Sequence, residues 1–214
     1  GIIGLFGYHA LYFMAMQKAP AIEVSLIAYL WPLLIVIFSS FLPDEKLHWN
    51  HVVGVSLGFI GVIILLLKND VLNLSLEYTT GYILAVFCAL IWSLYSVICK
   101  KNKEVPTMLI GALCGITSVL ALIVHLLFEK TVIPQSGEWF AIIALGFGPV
   151  GLAFFAWDYG VKNGNIKLLG ALAYLAPLVS SFLLIFFGQA ELSWQILIAC
   201  CFIIGGSIIS SIRN

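Results

Sequence analysis

Charge is what this sequence has least of. Only 9% of its 214 residues are Asp, Glu, Lys or Arg, while 62% are hydrophobic. A soluble domain is about 25% charged and roughly 45–50% apolar, because its surface has to stay in water. The composition therefore excludes a soluble globule. Ten Lys and Arg balance ten Asp and Glu, so no basic excess exists to hold a nucleic acid. The five cysteines, Cys88, Cys99, Cys114, Cys200 and Cys201, all lie in apolar stretches and form no C-x-x-C pair. That pattern excludes a disulfide framework and leaves them as packing residues. His and carboxylates nowhere adopt metal-ligand spacing, so neither metal nor cofactor is expected. H-E-x-x-H is absent, and the G-x-S-x-G of Gly54 to Gly58 sits inside an apolar run. A serine nucleophile needs that motif in a strand–turn–helix, so an intramembrane enzyme is disfavoured. So is a channel, since no run carries a ring-forming charge or carbonyl-filter pattern. No signal peptide is visible, and the chain opens on Gly1 within an apolar run rather than on Met, which reads as a truncated record.

What is there is long apolar runs. A bilayer crossing takes about 20 apolar residues, and polar breaks divide the chain into eight candidates. These are residues 1–17, 20–42, 50–68, 79–99, 106–128, 139–160, 166–187 and 193–212. The reading is an all-α polytopic membrane protein. Alternate loops face opposite sides. One side collects Lys46, Lys100, Lys101, Lys103, Lys162, Lys167 and Arg213; the other collects Lys18, Lys68 and Lys130. The cation-rich side is cytoplasmic by the positive-inside rule, which puts the C-terminus there and the 69–78 linker outside. Asn73-Leu74-Ser75 in that linker matches a glycosylation acceptor, a three-residue pattern too common to carry weight.

The chain also repeats itself. Ala28-Tyr29-Leu30-Trp31-Pro32-Leu33 recurs 145 residues later as Ala173-Tyr174-Leu175-Ala176-Pro177-Leu178. The same displacement carries Leu47 to Leu192, Trp49 to Trp194 and Gly61 to Gly206. Spans one to three thus map onto spans six to eight. An offset of five spans is odd, so the copies cross the membrane in opposite senses. Inverted repeats of this kind belong to secondary transporters, with the substrate site near the midplane where the copies meet.

At these residues the sequence resembles the drug/metabolite transporter superfamily with EamA-type domains. The features are a proline-bearing fourth helix and a Gly-rich fifth helix in each half. Within it, Gly7-Tyr8-His9-Ala10-Leu11-Tyr12 followed by Leu26 to Leu33 is similar to the aromatic amino acid exporters of YddG type. The resemblance implies a ten-helix, five-plus-five inverted repeat of which eight spans are visible. Residues 1–68 are then the last three helices of the first repeat, and 79–212 the whole second one. It further implies a bacterial inner-membrane exporter, a monomer, that moves amino acids or related metabolites by alternating access. The central cavity would be lined by Tyr, His and Trp.

The candidate substrate-binding residues follow from where polar-tipped aromatics sit within spans. Tyr8, His9 and Tyr12 share one helix face, and Tyr29, Trp31 and Pro32 lie mid-span in the next helix. Trp92 and Tyr95 form an i, i+3 pair beside Ser93 and Ser96. Trp157 is the repeat-mate of Tyr12, and Tyr174 of Tyr29. Buried Tyr, Trp and His all need polar partners, so helix–helix hydrogen bonding without substrate is the competing reading. For Trp157 and Tyr159 an interfacial anchor weighs at least as much, and Trp49, Trp139 and Trp194 read as interfacial belt residues. Pro32 and Pro177 are expected to kink their helices. Glu23 favours a helix N-terminus, His125 is close to the end of its span, and Asp158 is close enough to an end to snorkel. No carboxylate lies plainly at a span centre, which points to gradient-driven export without an ion-coupling site. Gly54, Gly58 and Gly61, and separately Gly111 and Gly115, are expected to let helices approach closely. A drug, purine or sugar-derivative carrier is the second reading of substrate.

Overall fold

The computed structural model describes residues 1–43, 45–67, 75–188 and 191–212. Among them every regular element is helical. The segments are α1 (Ile3–Met16), α2 (Ala21–Ser39), α3 (Trp49–Leu66), α4 (Leu76–Lys101), α5 (Leu109–Phe128), α6 (Glu138–Asn163), α7 (Ile166–Phe186) and α8 (Trp194–Ser211). All but α1 are at least 18 residues long and apolar enough to cross a membrane. The chain is an all-α polytopic membrane protein. Lys68 and Arg213, counted among the loop charges, and Asn73 of the glycosylation pattern lie outside the described residues. Ser75 caps a 3-10 turn over Leu76–Tyr78 that opens α4, so this helix starts three residues earlier than its hydropathy predicts.

The two prolines break their helices rather than bend them. Pro32 has no N–H for the Ala28 carbonyl, and its ring collides with that carbonyl. The helix therefore stops one turn upstream. Ala21–Ala28 ends, Tyr29 and Leu30 form a turn, and Trp31–Ser39 restarts with Pro32 in its first turn. Pro177 acts in the same way on Ala173: Ile166–Ala173 ends, and Leu175–Phe186 begins after Tyr174. A second pair of irregularities also obeys the 145-residue offset. Ile3–Gly7 and Gly148–Leu152 are both π-helical turns, the one-residue widening that re-aims the side chains following it. Hydropathy gives no hint of these.

Helices α3 and α8 are repeat-mates and run antiparallel. Asn50 at the start of α3 donates to the Ile212 carbonyl just beyond the end of α8, at 2.7 Å, while Gly61 faces Ala199 and Ile203 nearer its beginning. Gly54 and Gly206 meet backbone to backbone at the crossing. Gly58 instead accepts the Tyr174 ring. Around this seam Leu26, Val36, Val55, Val62, Leu178, Ile196 and Ile203 form the largest buried cluster. Helix α4 lies across α1 and α2, with Ala85 against Ala15, Ala19 and Val24. The Gly111–Gly115 pair departs from expectation. A Cβ on Gly115 meets nothing, and one on Gly111 only touches Phe155 at 3.4 Å, so among the described residues no helix presses on that stripe. Large apolar side chains of α5 and α6, such as Leu126, Phe128, Phe140 and Phe147, point outward, where lipid is the solvent they suit.

The α3–α8 seam yields a pair of opposite expectations on adjacent residues. A methyl at Gly206 would run into the Gly54 carbonyl and lie 2.9 Å from the Gly58 nitrogen, whereas a methyl at Gly205 meets nothing within 4 Å. Gly206→Ala should lower stability by about 1–3 kcal/mol through overpacking. Gly205→Ala should hold or raise it, because Ala is the better helix former by about 1 kcal/mol. Melting of the purified variants in detergent separates the two.

Candidate functional site

Seven of the expected residues come together. Tyr8, His9 and Tyr12 from α1, Trp31 from α2, Trp92 and Tyr95 from α4, and Trp157 from α6 form one aromatic cluster. Trp92 is its hub. Its ring lies 5.5 Å from Tyr8, 6.3 Å from Trp31, 5.5 Å from Tyr95 and 6.1 Å from Trp157. Trp31 and Trp157 meet edge to face at 5.2 Å, and Tyr8 stacks on Tyr12 at 6.0 Å. These separations fall in the range where aromatic quadrupoles attract. Phe154 joins the cluster without having been singled out from the sequence, at 5.7 Å from Trp92 and 5.8 Å from His9. It is the repeat-mate of His9, so the displacement that paired Tyr12 with Trp157 also pointed to it.

The π-turns account for this convergence. Tyr8, His9 and Tyr12 follow the Ile3–Gly7 turn directly, and Phe154 and Trp157 follow Gly148–Leu152. In each half the wide turn rotates the next stretch of helix toward the other half.

Polar groups hold the rings in place. His9 Nδ1 lies 2.7 Å from the Leu5 carbonyl; a carbonyl only accepts, so Nδ1 carries a hydrogen and is committed to Leu5. The Tyr12 hydroxyl pairs with Ser25 Oγ at 3.2 Å. Trp157 Nε1 donates to Ser96 Oγ at 3.0 Å, and Ser96 donates in turn to the Trp92 carbonyl at 2.9 Å. Ser96 thereby fixes both tryptophans. Trp157 is half-buried and hydrogen-bonded inside the bundle, not an interfacial anchor, whereas Tyr159 beside it is exposed.

The remaining expected residues lie elsewhere. Tyr174, at the break within α7, is completely buried against α3, with its ring against Phe59 at 6.2 Å and its hydroxyl donating to the Tyr29 carbonyl at 3.1 Å. It ties its own helix break to that of its repeat-mate. Tyr29 packs on the same cluster. Pro32 is buried, with its carbonyl against Gly170 of α7. Pro177 is buried as well.

Charges are deeper than the sequence implied. Glu23 is buried in the first turn of α2 and accepts a hydrogen bond from Tyr82 of α4. Asp158 does not snorkel. It is 2% exposed and paired with Lys162, one turn on, at 2.6 Å. Glu45, between α2 and α3, pairs with Lys167 at the start of α7 and lies 3.9 Å from Lys100 at the end of α4. His125 closes the far end of α5 on Glu129 and Thr131. Among the described residues no three His, Cys, Asp or Glu side chains cluster as metal ligands.

An inverted pair of helical halves around an aromatic cluster is the frame of a membrane transporter. The chain matches the EamA-like transporter family over residues 1–67 and 79–212, and it belongs to that family. It is similar to a protein of Ancylobacter novellus named aromatic amino acid exporter YddG, with 46% identity over 213 residues, covering 99% of this chain and 74% of that protein. The Escherichia coli K12 protein of the same name is 27% identical over 201 residues, covering 88% of this chain and 66% of its own length. A solved crystal structure, 46% identical, matches with a TM-score of 0.96 over 99% of this chain and 75% of its own.

Tyr174→Phe tests the clasp between the two helix breaks. Losing one buried hydrogen bond should cost about 0.5–1.5 kcal/mol. A lower melting temperature with unaltered helical content by circular dichroism is the expected result.

Proposed function

We propose that the protein exports aromatic or other neutral amino acids by alternating access, in a bacterial inner membrane and with its C-terminus in the cytoplasm. The observation that carries this reading is the aromatic cluster, built from four spans of both halves around Trp92. Ring faces stack on an apolar or aromatic side chain, and the same faces attract an ammonium. With Nδ1 committed to Leu5, Nε2 is the His9 nitrogen left to a substrate. His9 Nε2 and the Tyr8 and Tyr12 hydroxyls are the polar groups that meet the charged end of the substrate. Among the described residues no carboxylate side chain enters the cluster, which suits a zwitterion without net charge better than a cationic drug. The names of the Ancylobacter and Escherichia relatives support the substrate class. The loop cations support the orientation through the positive-inside rule.

Alternating access is supported by the paired irregularities. Broken helices at Tyr29 and Tyr174 are places where backbone dihedrals can change with little loss of hydrogen bonding, and each half has one. Export then runs down the amino acid gradient, the central rings being presented to one side at a time.

Counterflow of labelled phenylalanine, tyrosine and tryptophan in proteoliposomes tests the reading. Trp31→Ala and His9→Ala should each lower the initial rate at least about tenfold with unchanged protein in the membrane. Excess unlabelled tryptophan should compete where purines and sugar derivatives do not. Wild-type rates in both variants, or competition by purines alone, would sink it.

A further inference from the structure

A cavity of about 230 Å³ lies between the ends of α4, α5 and α6, lined by Tyr95, Ile98, Leu113, Asp158 and Lys162 among others. It is distinct from the aromatic cluster but shares a wall with it, since Tyr95 faces the cavity and stands 5.5 Å from Trp92. We propose that it is an entry subsite for the charged backbone of an amino acid zwitterion, Asp158 taking the ammonium and Lys162 the carboxylate. This rests on the amino acid export reading above.

Valence is the core of the argument. Asp158 Oδ2 accepts from Lys162 at 2.6 Å and from Thr107 at 2.7 Å, while Asp158 Oδ1 is buried without a partner. The Lys162 ammonium has three hydrogens. One goes to Asp158 and one to the Val105 carbonyl at 2.8 Å, so one remains. The pair thus holds one unsatisfied acceptor beside one unsatisfied donor hydrogen at the wall of the cavity. An α-amino acid carries the complementary set, an ammonium that donates and a carboxylate that accepts, joined by one carbon. The apolar lining of Ile98 and Leu113 takes the side chain. The volume is below the roughly 300 Å³ at which drug-sized pockets begin, and suits a single amino acid.

A purely structural role explains the pair less well. The positions 145 residues earlier, equivalent to Asp158 and Lys162, are Phe13 and Gln17, so the fold makes the same helix end without ions. A buried ion pair is often no more stabilising than the apolar residues that could replace it, and intramembrane charges usually mark a substrate path. The cavity also lies on the right face. Asn102, Val105 and Pro106, from the cation-rich side, form part of its lining, and an exporter collects its substrate from the cytoplasm.

The test uses the full-length protein in proteoliposomes, with phenylalanine, phenethylamine (no carboxylate) and 3-phenylpropanoate (no ammonium) as probes. In Asp158→Asn/Lys162→Gln the side chains still hydrogen-bond but carry no charge. The subsite predicts a KM for phenylalanine raised about tenfold with near-normal maximal rate, and lost preference for phenylalanine over the two analogues. A structural pair predicts wild-type KM and preference, and that result overturns the proposal. A second measurement needs no variant. Cys99 also lines the cavity, and its alkylation, read on its own peptide by mass spectrometry, should be slowed by phenylalanine more than by either analogue. Equal slowing by all three, or none, overturns the subsite. Wild-type protein that moves no amino acid at all overturns the export reading itself, whereas intact wild-type counterflow with either negative result above removes only the subsite.

Discussion

Two helices that are copies of one another cross at glycine, and the rest of the molecule is arranged about that crossing. Gly54 on α3 and Gly206 on α8 leave backbone against backbone. The inverted relationship returns the contact further along, where Gly61 faces Ala199, their repeat-mates in exchanged order. In lipid, apolar side chains gain nothing by leaving their surroundings for one another, so close backbone approach and packing must join the helices. This seam fixes how the first half lies on the second. Tyr174 then fills the space at Gly58 and carries its hydroxyl to the Tyr29 carbonyl, so the seam also sets the separation of the two helix breaks.

Because the halves are related by a single offset, each backbone device occurs twice. Two π-turns and two proline-driven breaks stand 145 residues apart. The side chains mounted on them differ. The first half supplies Tyr8, His9, Tyr12 and Trp31; the second supplies Trp92, Tyr95, Phe154 and Trp157, with Ala153 and Ala176 where Tyr8 and Trp31 stand. A near-symmetric scaffold therefore holds an asymmetric cluster.

The sequence made the spans legible because a crossing helix needs a long run of apolar residues, and such runs survive any arrangement of neighbours. The repeat was legible for the same reason, Pro32 with Pro177 and Trp49 with Trp194 being rare enough residues to betray it. Most of the cluster could be read too, since a Tyr, His or Trp deep in an apolar run must find a polar partner. What could not be read depends on contacts between distant segments. Tyr29 and Tyr174 look alike in sequence, yet Tyr174 is buried at a seam that only packing creates. Gly111 and Gly115 carry the spacing of a tight crossing, but no helix among the described residues lies over them. Asp158 looked free to reach the headgroups until Lys162, Thr107 and the Val105 carbonyl were seen to enclose it. Hydropathy counts each of these residues alone, and their burial is a property of the pair.

The lysine–carboxylate pairs fall on one face of the bundle, whereas Glu23, buried at the opposite end of α2 from Glu45, meets Tyr82. Glu45 from the first half meets Lys167 from the second and lies near Lys100, which also donates to the Gly164 carbonyl at 2.7 Å. Asp158 and Lys162 join α6 to the α4–α5 connection on that same face. Lys167 has Ile22 as its repeat-mate and Lys162 has Gln17, so the opposite face is not closed by the same lysines. Separating a buried pair leaves each ion short of both partner and water, which costs several kcal/mol when nothing replaces the contact. The two orientations of an inverted repeat are alike in backbone geometry, and charge placement is what makes them unequal. For the cation-rich face to open at a useful rate, water or a substrate's own charges must take over the contacts that Glu45, Asp158 and their lysines now make with one another.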